Sequence, residues 1–340
     1  MYWWFWKGFH VGLEIPEIKK RILVGFRMHS LIRYAVIFVA ERVGFFHFDS
    51  MGNPTENFST SQRACLIKPG EKYSRQVLPD LESKPETLHA LFNVNDPYPD
   101  LNTEWFSRMR NINVLCLGRW GNSYKKNNEA EETKHDVEVE NTESLKGLRS
   151  MKHLKFLSPQ GISRINELPE TIQNLTIPEN MVSLQKLTHL DISDCYMLDF
   201  MPKGLGSVTE LQVLKGFVIS NLKIKNAGTL DDLKGLPKLR KLSIYTAKKD
   251  LLDDSRKLKR INGFRQESNA AVIPYLPEHL VKLDLQCYPE TKAPIWLSPG
   301  SLENLQKLHI RGGHLSALGR THDGNDKWNV KIPRLNFLKN

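Results

Sequence analysis

LTHLDISDCYMLDFMPKGL, residues 187–205, decides how the chain is read. Its first half places apolar side chains at Leu187, Leu190 and Ile192, followed by Cys195. Side chains alternate across a strand, so Leu190 and Ile192 share one face while His189, Asp191 and Ser193 share the other. Leu198, Met201 and Leu205 then return the chain to the same apolar side. Cys195 falls where a small side chain closes the turn by bonding neighbouring backbone, which makes it structural rather than reactive. A unit of this kind cannot bury its edge alone and requires copies of itself on either side.

The copies are present. Met109, Ile112, Leu115 and Leu117 form one strand half, and Val208, Leu211, Leu214 and Gly216 another. Leu236, Leu239, Leu242 and Ile244 form a third, Leu280, Leu283 and Leu285 a fourth, and Leu302, Leu305, Leu308 and Ile310 a fifth. Met151, Leu154 and Leu157 begin a further copy in which Pro159 takes the last inward position. Proline cannot donate to a ladder, so that strand should be short or bent. Leu335 and Leu338 start a repeat that does not close. The last inward positions, 117, 159, 192, 216, 244, 285 and 310, are separated by 42, 33, 24, 28, 41 and 25 residues. A basic period near 24 with insertions is that of leucine-rich repeats. The expected fold class is therefore α/β: a leucine-rich-repeat solenoid with a parallel sheet on its concave face. The charged segments 121–145 and 246–270 should be loops, the first of them mobile.

Composition agrees. Of 45 leucines, 39 lie beyond residue 87. The 340 residues are 40% hydrophobic and 25% charged, which excludes collagen, a disulfide scaffold and wholesale disorder. Net charge is +10, concentrated in residues 201–265, where 15 Lys/Arg face 6 Asp/Glu. Four cysteines with no CxxC pair fit a reducing compartment. No stretch is apolar enough for a membrane span, and the start is aromatic rather than basic-then-apolar, so the expected location is cytoplasmic.

Catalytic signatures are missing. There is no HExxH, GxSxG or GxGxxG, and the eleven histidines show no metal-ligand spacing. The chain is expected to bind rather than catalyse, with no cofactor and no metal. The basic residues 238–265 lack the interleaved aromatic array of a nucleic-acid binder. Residues beside the inward leucines are the candidates for partner binding: His189 and Asp191; Lys215 and Phe217; Lys241 and Tyr245; Lys282 and Asp284; and Lys307, His309 and Arg311. Lys215, Lys241, Lys282, Lys307 and Arg311 are expected to form one basic ladder suited to an acidic protein.

Several segments point further. Tyr2-Trp3-Trp4 with Gly8-Phe9, and Met28-His29-Ser30-Leu31-Ile32-Arg33, resemble the start and end of a winged-helix module. Glu104-Trp105-Phe106-Ser107 and the run from 187 to 217, ending in ELQVLKGF, continue the similarity. Together they resemble plant intracellular nucleotide-binding leucine-rich-repeat disease resistance proteins of the coiled-coil subclass. The resemblance implies a winged-helix remnant over 1–48, a linker and start of a cap over 49–84, and the solenoid over 85–340. Within it, residues 31–43 read as a helix stopped by Gly44. In that family a Met-His-Asp histidine lies near bound nucleotide. Here the third position is Ser30, no GxxxxGK[ST] occurs, and His29 is expected to bind no cofactor. The implied role is protein recognition in defence against pathogens, with a pathogen effector, a host guardee or the receptor's own modules as partner. The alternatives are a non-immune scaffold and a non-functional receptor fragment.

Overall fold

The computed structural model describes residues 29–42, 63–66, 85–93, 103–118, 142–162, 184–219, 227–246, 276–294, 296–318 and 328–336, with 165 and 168. The expectations for residues 1–28 and 247–270, and for nearly all of the charged insert, lie outside the described residues.

The strands are β1 (Arg63–Leu66), β2 (Ala90–Asn93), β3 (Val114–Cys116), β4 (Phe156–Ser158) and β5 (His189–Asp191). They continue as β6 (Val213–Ile219), β7 (Lys241–Thr246), β8 (Lys282–Tyr288), β9 (Lys307–Gly313) and β10 (Ile332–Asn336). All ten form one sheet in chain order, and every described pairing between named strands is parallel. This is the solenoid that the periodicity predicts. Among the described residues helix is limited to α1 (Ser30–Arg42), which precedes β1, α2 (Thr103–Arg108) between β2 and β3, and 3₁₀ stretches, the longest Thr142–Ser150.

One inward row crosses the sheet as Leu91, Leu115, Leu157, Leu190, Leu214, Leu242, Leu283 and Leu308. All are essentially buried. The returning residues Leu198, Met201 and Leu205 join the same core. Backbone carbonyls just before each strand hold the next repeat, as where Thr188 O accepts from the amides of Gln212 and Val213 at 2.8 and 3.1 Å. Cys195 is buried, and its thiol donates to Pro159 O at 3.2 Å. Burial pushes that thiol up to about 12, which removes thiolate at neutral pH. β4 ends at Ser158, immediately before Pro159.

The sheet is longer than the repeat count suggests. β1 lies inside the segment read as linker and start of a cap, and its pattern RACL is too short to register as a repeat. At the other end β10 forms although Pro333 takes an inward position. Ile332 and Leu335 remain 39% and 56% exposed there, because no described strand lies beyond them. Helix α1 matches the expected 31–43 closely, yet Leu31, Tyr34 and Phe38 on it are exposed.

Candidate concave recognition surface

The positions that alternate with the inward leucines fall into three rows fixed by strand register, and of these Val213 and Val218 are themselves buried. The first runs Phe156, His189, Val213, Lys241, Lys282, Lys307. The second includes Asp191 beside Lys215, then Ser243, Asp284, His309 and Arg334. The third runs Val218, Tyr245, Gln286, Arg311. The expected single ladder is thus corrected. Lys241, Lys282 and Lys307 share a row, whereas Lys215 and Arg311 sit in the second and third.

Phe217 is a second correction. Two residues of β6, Lys215 and Gly216, oppose the single Ser243 of β7, and the register shifts between Leu214 and Phe217. Gly216 has φ +81°, and a Cβ on it would lie 2.6 Å from the backbone of Ile192. Only glycine fits this bulge. The extra residue turns Phe217 inward, where it is 1% exposed and pairs with Ile244. It therefore belongs to the core and not to the binding face. Val218 takes the register place beside Tyr245, yet at 4% exposed it too packs into the core cluster and offers nothing to a partner.

The outward acids are not free to meet a partner. Asp191 is buried, paired with Lys215, and accepts the Ser193 amide at 3.2 Å. Asp284 is held by Arg311 through two bonds, Nε to Oδ1 at 3.1 Å and Nη2 to Oδ2 at 2.8 Å. Gln286 donates to Ser243 at 3.0 Å. These contacts join neighbouring repeats, and bidentate guanidinium–carboxylate bonding fixes Arg311 in place.

Lys241, Lys282, Lys307 and Arg334 form no ion pair within 4 Å among the described residues. The Lys282 ammonium is held below its ordinary pKa by partial burial first, and by Lys215, Lys241 and Lys307; Asp284 opposes them. His309 is lowered by partial burial, then by Lys282, with Arg334 and Arg311 adding to it against Asp284. Burial likewise raises Tyr245. The C-terminal half of the concave face is therefore cationic and incompletely compensated. In the other half, Phe156 and His189 stack with ring centres 5.6 Å apart.

Arg334 and Phe156 were not among the sequence candidates. Arg334 was hidden by the proline that breaks its strand's inward pattern, and Phe156 by its position before the irregular Pro159. One residue before the first inward position finds Phe156, and one residue after it, where Pro333 stands, finds Arg334. His29, remote in sequence from the sheet, is exposed, and its Nδ1 accepts the Leu31 amide at 3.3 Å. A shallow cleft of about 320 Å³ opens beside the strand starts, lined by Gln212, Pro237, Lys238, Arg240 and His279. Lys238 there is engaged with Glu210. No cluster of metal-binding side chains occurs among the described residues. Nor is any described helix long and apolar enough to cross a membrane.

Comparison with known proteins places the repeats in a wider group. A family model described as a leucine-rich repeat region matches residues 132–318, more than half of the chain. Disease resistance RPP13-like protein 4 of Arabidopsis thaliana is 27% identical over 223 residues, covering 57% of this chain. That stretch is 26% of the relative, so the chain matches about a quarter of its length.

Proposed function

Because the chain belongs to the leucine-rich-repeat family, we propose that it is a protein-recognition module of the plant disease-resistance type. It binds an acidic protein on the C-terminal half of the concave face, without catalysis. The observation that carries this is the in-register row Lys241, Lys282, Lys307, which forms no ion pair among the described residues. Three like charges about one strand spacing apart repel each other and are relieved by an opposing acidic surface. The defence role rests on the likeness to a disease resistance protein, together with the Met-His-Ser and ELQVLKGF segments. A pathogen effector, a host guardee or other modules of the same receptor fit as partners, and cytoplasm is the location proposed.

The test uses the full chain immobilised as wild type and as Lys241→Glu plus Lys282→Glu, each exposed to leaf extract. The wild type should retain acidic proteins that elute as salt rises, since exposed charge contacts are screened over about 8 Å at physiological ionic strength. The variant should lose them. Identical retained sets would overturn the concave-face reading. The same protein should show no saturable binding of ATP or ADP with magnesium by calorimetry, as no GxxxxGK[ST] cradle is present in the sequence.

A further inference from the structure

We infer that the concave face takes one amphipathic α-helix of a protein partner, laid across the strands, with apolar residues over Phe156, His189 and Val213 and acidic residues over Lys241, Lys282 and Lys307. The inference rests on the reading above that this face is the recognition surface. It goes further by naming the partner's secondary structure and charge pattern.

Direction comes from the register. The six residues occupy one unbroken row in which each is the Cα partner of the next. Within these six the chemistry changes once, from aromatic and aliphatic, with Val213 only 8% exposed, to cationic; the register continues to Val114 before Phe156 and to Ile332 after Lys307. An occupant that satisfies both halves must run along the solenoid axis. A strand added to the sheet edge would touch neither half.

Spacing then selects the helix. Adjacent strands lie about 4.8 Å apart, so the six rungs span about 24 Å. A helix rises about 5.4 Å per turn, and sixteen residues cover about the same distance. One side chain per turn, at i, i+3 or i+4, i+7, meets one rung per strand. Its mismatch over the five intervals is about 3 Å, within reach of a flexible lysine stem. An extended peptide repeats same-side residues every ~6.8 Å and drifts by about 10 Å over the row. That drift places its side chains between rungs.

Charge selects the acid. Lys215 and Arg311, beside the row, are already occupied by Asp191 and Asp284. The three row lysines have no ion-pair partner among the described residues, and Lys282 lies between the other two. A nucleic-acid strand fits less well, since a uniform phosphate backbone would leave half its length on uncharged rungs.

The experiment uses the full chain and synthetic 21-residue peptides of equal length and net charge, read by fluorescence anisotropy. The first is an alanine-rich helix with three leucines in one half and three glutamates in the other, all on one face, made in both orders. The second moves the glutamates to the opposite face. The third carries the first pattern with two central prolines. Three exposed ion pairs are worth roughly 3- to 150-fold in affinity. In one of its orders, the first peptide should bind at least about threefold more tightly than the others. That advantage should vanish with Lys241→Gln, Lys282→Gln and Lys307→Gln together, a charge-removing change at two exposed and one half-buried lysine that should leave the circular dichroism spectrum intact.

Equal binding of the first and third peptides would overturn the helix. So would indifference of the first peptide to the triple variant. An oligothymidine of matching span that binds as tightly, with the same lysine dependence, would make this a polyanion site instead. If no peptide binds while charge reversal still abolishes retention from extract, the helix falls and the recognition face stands. If retention is also unchanged, both fall.

Discussion

The two halves of the concave sheet share an identical inward row and differ in where their strands stop. β3, β4 and β5 are three residues long, whereas β6 to β9 run for six or seven. Leu115, Leu157 and Leu190 are as buried as Leu242, Leu283 and Leu308, so the core does not cause the difference. The endings do. Pro159 follows β4, and the Asp191 carboxylate takes the Ser193 amide after β5, with Asp194 at φ +61°. By contrast β8 continues through Cys287 at φ +57°, and β9 through Gly312 and Gly313, both at positive φ. Each longer strand adds a third outward position, and there the bond from Gln286 to Ser243 and the pair Arg311–Asp284 form. The recognition character of this solenoid thus changes along its axis through turn chemistry, while the packing repeat stays constant.

The sharpest way to break that comparison is to attack the constant part. Leu190→Asp places an unpaired carboxylate at a fully buried site and should cost more than about 5 kcal/mol, enough to unfold the surrounding repeats. Asp191→Ala, one position on, should cost only about 1–3 kcal/mol. That is more than a solvent-facing residue would give, since Asp191 serves both Lys215 and the Ser193 amide. Thermal melts of the two variants decide it, and similar losses would mean the strand register is wrong.

Phe217→Ala comes next. A core phenylalanine truncated to alanine costs about 3–5 kcal/mol, whereas a side chain lost from a binding face leaves stability nearly unchanged. Denaturant midpoints should therefore fall for Phe217→Ala and hold for Lys241→Ala. An unchanged midpoint for Phe217→Ala would return this residue to the concave surface and remove the bulge at Gly216 from the account.

The repeats were legible because leucines at i, i+3 and i+5 leave a pattern that survives long insertions. The parallel sheet and the burial of Cys195 follow from that pattern, and the end of β4 from Pro159. Phe217 was misplaced because a bulge adds one residue without changing composition, and ELQVLKGF fits either register. Gly216 carried the only hint, as a glycine where the pattern asks for an aliphatic side chain. The rows of charge were half legible. Sequence shows which residues alternate outward, but row membership depends on which carboxylate takes which cation. Asp191 and Asp284 alternate outward as partner contacts would, yet they are engaged with Lys215 and Arg311.

The smallest expected effect is a pH dependence confined to the basic half. His309 faces Lys282 and Arg334 on the neighbouring strands, with Arg311 on its own, and Asp284 only partly offsets them. Partial burial and these cations hold its folded pKa below the ordinary value of 6.5. Between the two values the unfolded chain binds more protons than the folded one, so stability rises with pH there. The contribution is complete above the unfolded pKa and is lost as pH falls through the folded value. Melting the wild type and His309→Gln at steps from pH 7.5 to about 5 should show the wild type losing more stability on acidification. Val114, on β3 in the apolar half, has no titrating neighbour at its rung, so Val114→Ala should shift the melt equally at every pH. An acid-sensitive difference that survives in His309→Gln would place the pH response elsewhere in the solenoid. A wild type that gains stability on acidification would mean that Asp284, and not the lysine row, dominates the field at this histidine.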